Sequence, residues 1–164
     1  MSQADHNDTT HDIRGVLIQI EGGRLLLPNA TVSEVLSFAQ PEPVEAAPDW
    51  ILGRIRWRGW QLPLASFSRL AGIADEAGGL GSKVVVLKAL GGDSHLPYVA
   101  LLTRGFPRLV TVSRDALVAD AGEGDGAAAE LPLGVLMRVL LNDEPVLLPD
   151  VDAVEGAIRE ALAA

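Results

Sequence analysis

Imidazole, carboxylate, hydroxyl and guanidinium groups are the side chains of this sequence that could do chemistry, and their placement excludes most of it. The histidines are His6, His11 and His95. The first two lie in a polar, acidic stretch, Met1 to Asp12. A metal site needs several rigidly held ligands, which such a tail does not offer. His95 follows Gly-Asp-Ser in a turn. As a general base it would need a positioned nucleophile or carboxylate, and beside Asp93 it reads instead as a polar hairpin tip. Other carboxylates gather in loop-like segments, not on facing elements. No Gly-x-Ser-x-Gly elbow occurs. Gly78-Gly79-Leu80-Gly81-Ser82-Lys83 lacks the Gly-Lys-Ser/Thr order of a phosphate loop, and it precedes a strand instead of following one. There is no cysteine, so disulfides, thiolate metal sites and cysteine nucleophiles are excluded. No catalytic residue, metal ligand or cofactor is expected.

The guanidinium groups stand apart. The chain is acidic, with 22 acids against 13 bases and a formal charge of −9. Yet Trp50 to Gly72 holds Arg54, Arg56, Arg58 and Arg69 and no acid. Strand side chains alternate, so Arg54, Arg56 and Arg58 are expected on one face, with Ile55 and Trp57 on the other. Three guanidinium groups in a row cannot be buried without partners. They face solvent, internal carboxylates or another molecule. Trp57 and Trp60 flank the turn, and arginine with aromatic residues is the usual anchor set of protein interfaces. The same row would also suit an edge strand protected by charge. A nucleic-acid face with stacking tryptophans is an alternative, opposed by the acidity around it.

The elements that must position these residues are mostly strands. At 164 residues, 48% apolar and 21% charged, the chain is long enough for one globular domain. No apolar run reaches the ~18 residues of a membrane span, and the N-terminus lacks the basic and apolar regions of a signal peptide. A cytoplasmic location is expected, with no direct membrane insertion. Residues 1–12 read as a disordered tail. Ile13 to Ile20 and Arg24 to Leu27 form a hairpin pattern. Thr31-Val32-Ser33-Glu34 fits a capping box opening a short helix, with Val32, Val35 and Leu36 on one face. Ile51 to Trp57 and Trp60 to Leu64 pair around Arg58-Gly59. One helical turn is expected from Ser66 to Ala71. Lys83 to Leu90, Tyr98 to Thr103 and Leu109 to Val112 are further strands. Ala121 to Ala129 is a flexible loop. Val135 to Leu141 and Pro145 to Leu148 pair around Asn142-Asp143. Val151 to Leu162 carries the period of an amphipathic helix, with Asp150 as N-cap.

Many short strands argue for small barrels or a sandwich. An internal echo supports two similar lobes. Arg54-Ile55 and, beyond the turn, Leu62 to Phe67 recur 84 residues on as Arg138-Val139 and Val146 to Val151.

Pro48-Asp49-Trp50-Ile51-Leu52-Gly53-Arg54-Ile55-Arg56-Trp57-Arg58-Gly59-Trp60-Gln61-Leu62-Pro63-Leu64 resembles the central motif of the CheW-like family, roughly Pro-x-W/Y-h-x-G-h-h-N-h-R-G-x-h-h-P-h, where h is apolar. Leu26-Leu27-Pro28 and Val32-Ser33-Glu34-Val35-Leu36 resemble that family's first-lobe strand and V-x-E-V-L segment. The second half is similar in strand order but looser. The resemblance implies an all-β fold: two small SH3-like five-stranded barrels packed together, with the C-terminal amphipathic helix across them. The domain would span 13–164, with lobes near 24–90 and 91–150 and the first strand and last helix crossing between them. It implies a non-catalytic adaptor that couples the cytoplasmic tip of a methyl-accepting chemoreceptor to the regulatory domain of a chemotaxis-type histidine kinase. Arg58, Gly59 and Pro63 match the motif residues. Expected contact residues are Arg54, Arg56, Trp57, Arg58 and Trp60. Val32, Val35 and Leu36 would line an apolar groove or belong to the core. Arg56 stands where the family often has Asn, Ser66 where it often has Asp, and Phe106-Pro107-Arg108-Leu109 replaces the second V-x-E-V pattern. These departures point to a divergent adaptor of the type IV pilus chemosensory branch (ChpC/PilI-like).

Overall fold

The computed structural model describes residues 12–92, 95–119 and 131–163. The expected tail, apart from Asp12, and the expected loop over Ala121 to Ala129 lie outside them. Eleven strands, β1 to β11, appear in chain order: Ile13–Ile20, Gly23–Pro28, Val32–Ser37, Ile51–Trp57, Trp60–Ala65, Ser82–Lys88, Tyr98–Arg104, Arg108–Val112, Leu117–Ala119, Val135–Leu141 and Glu144–Pro149. Two helices, α1 (Phe67–Leu70) and α2 (Val151–Ala163), follow β5 and β11. Both are capped by side chains: Ser66 Oγ accepts from Arg69 N and Asp150 Oδ1 from Ala153 N.

The strands form two sheets. One runs β3-β6-β7-β5-β4 and makes the first lobe; the other runs β8-β1-β2-β11-β10-β9 and makes the second. The all-β, two-lobed expectation holds, although β9 gives the second lobe a sixth strand. The 84-residue echo is structural. Ile51–Trp57 and Trp60–Ala65 recur as Val135–Leu141 and Glu144–Pro149, and the irregularity between Ile51 and Gly53 recurs between Val135 and Met137.

Each lobe, however, borrows a hairpin from the other half of the chain. The β1–β2 hairpin sits beside β8, β10 and β11, and the β6–β7 hairpin beside β3, β4 and β5. By sheet membership the lobes therefore interleave, and a division near residue 90 would part β6 from β7, which pair over seven positions.

This exchange explains the continuous apolar runs. A strand buried on both faces has no polar side. Along β1, Val16, Ile18 and Ile20 enter a core shared by both sheets, while Leu17 enters the second lobe's own interior. Along β6, Val85 and Leu87 join the shared core, and Val84 and Val86 the first lobe's interior. Phe67, Leu70, Val154 and Ile158 from the two helices complete the shared core.

Beside it, Glu76 joins the lobes. Its Oε1 accepts from Ser66 Oγ and its Oε2 from Glu21 N, both at 2.9 Å, while Ser68 Oγ donates to Glu21 O at 2.7 Å.

The capping box over Thr31 to Glu34 does not open a helix. Asn29–Thr31 is a single 3-10 turn, and Val32–Ser37 is a strand antiparallel to β6. A bulge between Val32 and Glu34 is the physical reason for the misleading spacing. Val32 pairs with Leu87 and Val35 with Val85, so the extra residue brings positions three apart onto one face, as a helix would.

Candidate functional site

The β4–β5 hairpin ends in a two-residue turn. Arg58 and Gly59 have φ of 48° and 80°, the left-handed pair that matches the twist of hairpin strands. For arginine this costs about 1 to 2 kcal/mol. Its contacts offset that cost. Arg58 Nη2 donates to Glu34 Oε1 at 2.8 Å, and the guanidinium lies 4.9 Å from the centre of the Trp57 ring.

Trp57 is 6% exposed, and its Nε1 donates to the same Glu34 oxygen at 3.1 Å. Tyr98, from β7, meets Trp57 edge-on at 4.8 Å and Trp60 at 6.4 Å. Trp60 remains 42% exposed. The tip is thus an aromatic cluster sealed by one carboxylate and one guanidinium.

The expected row of three arginines is not formed. The positive φ at Arg58 turns its side chain onto the Trp57 face, leaving Arg54 and Arg56 on the other. Arg54 is half-buried beside the Glu42–Arg54 bridge, and Arg56 is exposed. Among the described residues neither joins a salt bridge.

Val32, Val35 and Leu36 do not share a groove. The two valines pack on the shared core, and Leu36 turns inward toward Ile55 and Trp57. An apolar groove exists elsewhere, with a volume of about 330 Å³. Ile13, Leu27, Leu90, Val112, Leu136 and Leu148 line it. Ile13, Leu90 and Leu136 are each more than half exposed there.

Sequence reasoning missed Glu34 and Tyr98. The signal for Glu34 was present in Val-Ser-Glu-Val-Leu, where a strand reading puts the acid on the face of Leu36. Tyr98 carried no local signal, because only the β5–β7 pairing brings it to the tip.

The nucleic-acid alternative finds no support in this geometry. A carboxylate sits at the centre of the tip and already holds its arginine. Among the described residues no His, Asp and Glu cluster could hold a metal ion, and no helix is long and apolar enough to cross a membrane.

Paired small barrels with a built aromatic tip and a separate apolar groove define a two-lobed β module. The CheW-like domain model matches residues 14–157. The chain belongs to the CheW-like domain family. Fifteen chains of solved structures match as well. One is the scaffolding protein TtCheW from Thermoanaerobacter tengcongensis, similar at 16% identity with a TM-score of 0.65, covering 85% of this chain and 84% of that one. No curated protein matches.

Proposed function

We propose that this chain is a non-catalytic cytoplasmic adaptor of chemotaxis-type signalling. It holds the helical tip of a methyl-accepting chemoreceptor and the regulatory domain of a histidine kinase in one geometry, so that receptor state alters kinase output. The observation that carries the reading is the tip itself. Arg58 and Gly59 stand at the family's Arg-Gly positions, and Arg58 is held by Glu34 of the Val-Ser-Glu-Val-Leu segment. A pre-organised guanidinium beside an exposed Trp60 suits an acidic, partly apolar protein surface. Arg54 and Arg56 offer a second, basic contact on the opposite face of the same hairpin. The tip is assigned to the kinase, and the apolar groove to the receptor, whose amphipathic helices would lay their apolar side into it. Weak single contacts suffice where many copies act together.

The type IV pilus branch is the finer reading. Arg56, Ser66 and Phe106-Pro107-Arg108-Leu109, the departures from the family pattern, are what support it.

Calorimetry with the isolated kinase regulatory domain tests the assignment. Micromolar binding is expected, weakened about tenfold or more by Arg58→Ala and unchanged by Leu136→Asp. Receptor-tip binding should show the opposite pattern. Kinase binding indifferent to Arg58→Ala would move the kinase off the tip. Absence of binding to either partner would overturn the adaptor reading.

A further inference from the structure

Because the lobes follow one plan, each position at one barrel mouth has a counterpart at the other. The 84-residue offset places Leu141 where the first lobe has Trp57 and Glu144 where it has Trp60. The parallel pairings extend the match. Leu147 faces Leu25, while Leu64 faces Ala100, so one residue back Pro63 faces Val99. One residue before Leu25 and Val99 lie Arg24 and Tyr98, which are therefore equivalent. On the neighbouring strands Leu17 faces Arg108 and Val86 faces Glu34, which makes Arg108 the counterpart of Glu34.

The chemistry at these four positions differs. In the first lobe, two indoles and a phenol fill the mouth and one acid seals it. In the second, leucine replaces an indole and the remaining places are charged. The mouth stays open as a cavity of about 400 Å³, lined by Leu17, Arg24, Arg108, Leu141, Glu144 and Val146. Glu144 is paired with Arg24. Arg108 is exposed and, among the described residues, forms no salt bridge. Two guanidinium groups against one carboxylate leave the lining of the mouth net positive. The floor is apolar: Leu17, Leu141 and Val146 belong to the second lobe's own core.

From this juxtaposition we infer that the second barrel mouth binds a small organic carboxylate with a short alkyl chain. Arg108 takes the carboxylate in a bidentate pair. The alkyl chain covers Leu17, Leu141 and Val146, where the first lobe keeps its Trp57 ring.

A titration of the ¹⁵N-labelled protein with acetate, butyrate and hexanoate, at ionic strength balanced with chloride, reads this out. Saturable shifts are expected at the amides of Arg24, Arg108 and Glu144. Affinity should rise about fourfold per added methylene, as burial of an alkyl chain requires. Arg108→Gln, an exposed change that spares the fold, should weaken butyrate at least tenfold. Leu141→Trp, which restores the first lobe's plug, should abolish binding. Shifts that grow linearly without saturation, equal affinity from acetate to hexanoate, or undiminished binding by Arg108→Gln would each overturn the inference.

Discussion

Arg58 Nη2 lies 2.8 Å from Glu34 Oε1, although the two residues belong to opposite ends of the first lobe's strand order. Glu34 is on β3 and Arg58 closes β4, strands with no backbone pairing between them. Side chains, not a hydrogen-bond ladder, therefore close that barrel at its mouth. Trp57 Nε1 adds a second bond to the same oxygen.

Loss of that oxygen should loosen the tip more than the fold. Arg58 is largely exposed and Glu34 partly so, and the ion-pair part of Glu34→Ala is therefore expected to cost no more than about 1 kcal/mol, with about 1 to 3 kcal/mol more where the Trp57 Nε1 donor loses its acceptor. Trp57 should become more mobile, with red-shifted emission and faster quenching. Under the proposed function, kinase affinity should fall with it, because Arg58 is no longer held. Unchanged tryptophan emission would show that Glu34 does not organise the tip.

Gly53 marks a place where no side chain fits. Its φ is 146°, and a Cβ there would lie 2.3 Å from the Glu42 carbonyl oxygen. That carbonyl accepts from Arg54 N in the bridge that fastens the incoming segment to β4. Gly53→Ala should break the bridge and cost roughly 1 to 3 kcal/mol in urea unfolding. Retention of full stability would mean that the Glu42 segment moves aside freely.

Glu76 should give stability an acid-range dependence. Burial is the largest influence and pushes its carboxyl above the usual 4.5; the nearby Glu21 charge acts the same way. The bonds from Glu21 N and Ser66 and the Arg104 charge act against them. With the folded pKa raised, the folded state keeps a proton that the unfolded chain has released. Its contribution is full below the unfolded value and is lost as pH climbs through the folded one. The stability of Glu76→Gln relative to the native protein should thus increase as pH rises through the upper carboxylate range. A gap independent of pH, measured by urea unfolding across that range, would contradict this.

Phe67 is fully buried in the core shared by both sheets and α2. Truncation to alanine leaves a cavity between lobes and should cost about 3 to 5 kcal/mol. One cooperative transition is expected for native and variant alike, because both lobes share this core. Two separate transitions would show that the lobes unfold independently.

The sequence carried the local elements well and the long-range ones poorly. β1, β4, β10 and α2 were legible from apolar pattern and turn residues, and their bounds agree closely with the structure. Arg58-Gly59 and Asn142-Asp143 were legible as turns because hairpins need positive φ there. Val32 to Ser37 misled because a bulge imitates helical spacing within one strand. The arginine row failed at its last member, since alternation stops where the strand stops. The hairpin exchange left no local trace. Pairing Val16 with Leu109 spans most of the chain, and nothing near either residue announces the other.

The exchanged hairpins also set a timetable for synthesis. β1 and β2 leave the ribosome first, yet their neighbours β10 and β11 end at Pro149, about 120 residues later. At roughly 5 to 20 residues per second the first hairpin waits about 6 to 24 s for its sheet. Through that interval Leu25, Leu26 and Leu27 stand without cover, an opening for chaperones and for aggregation alike. Nascent chains stalled before Pro149 should stay protease-sensitive in β1 and β2, and become resistant only once that residue has cleared the exit tunnel.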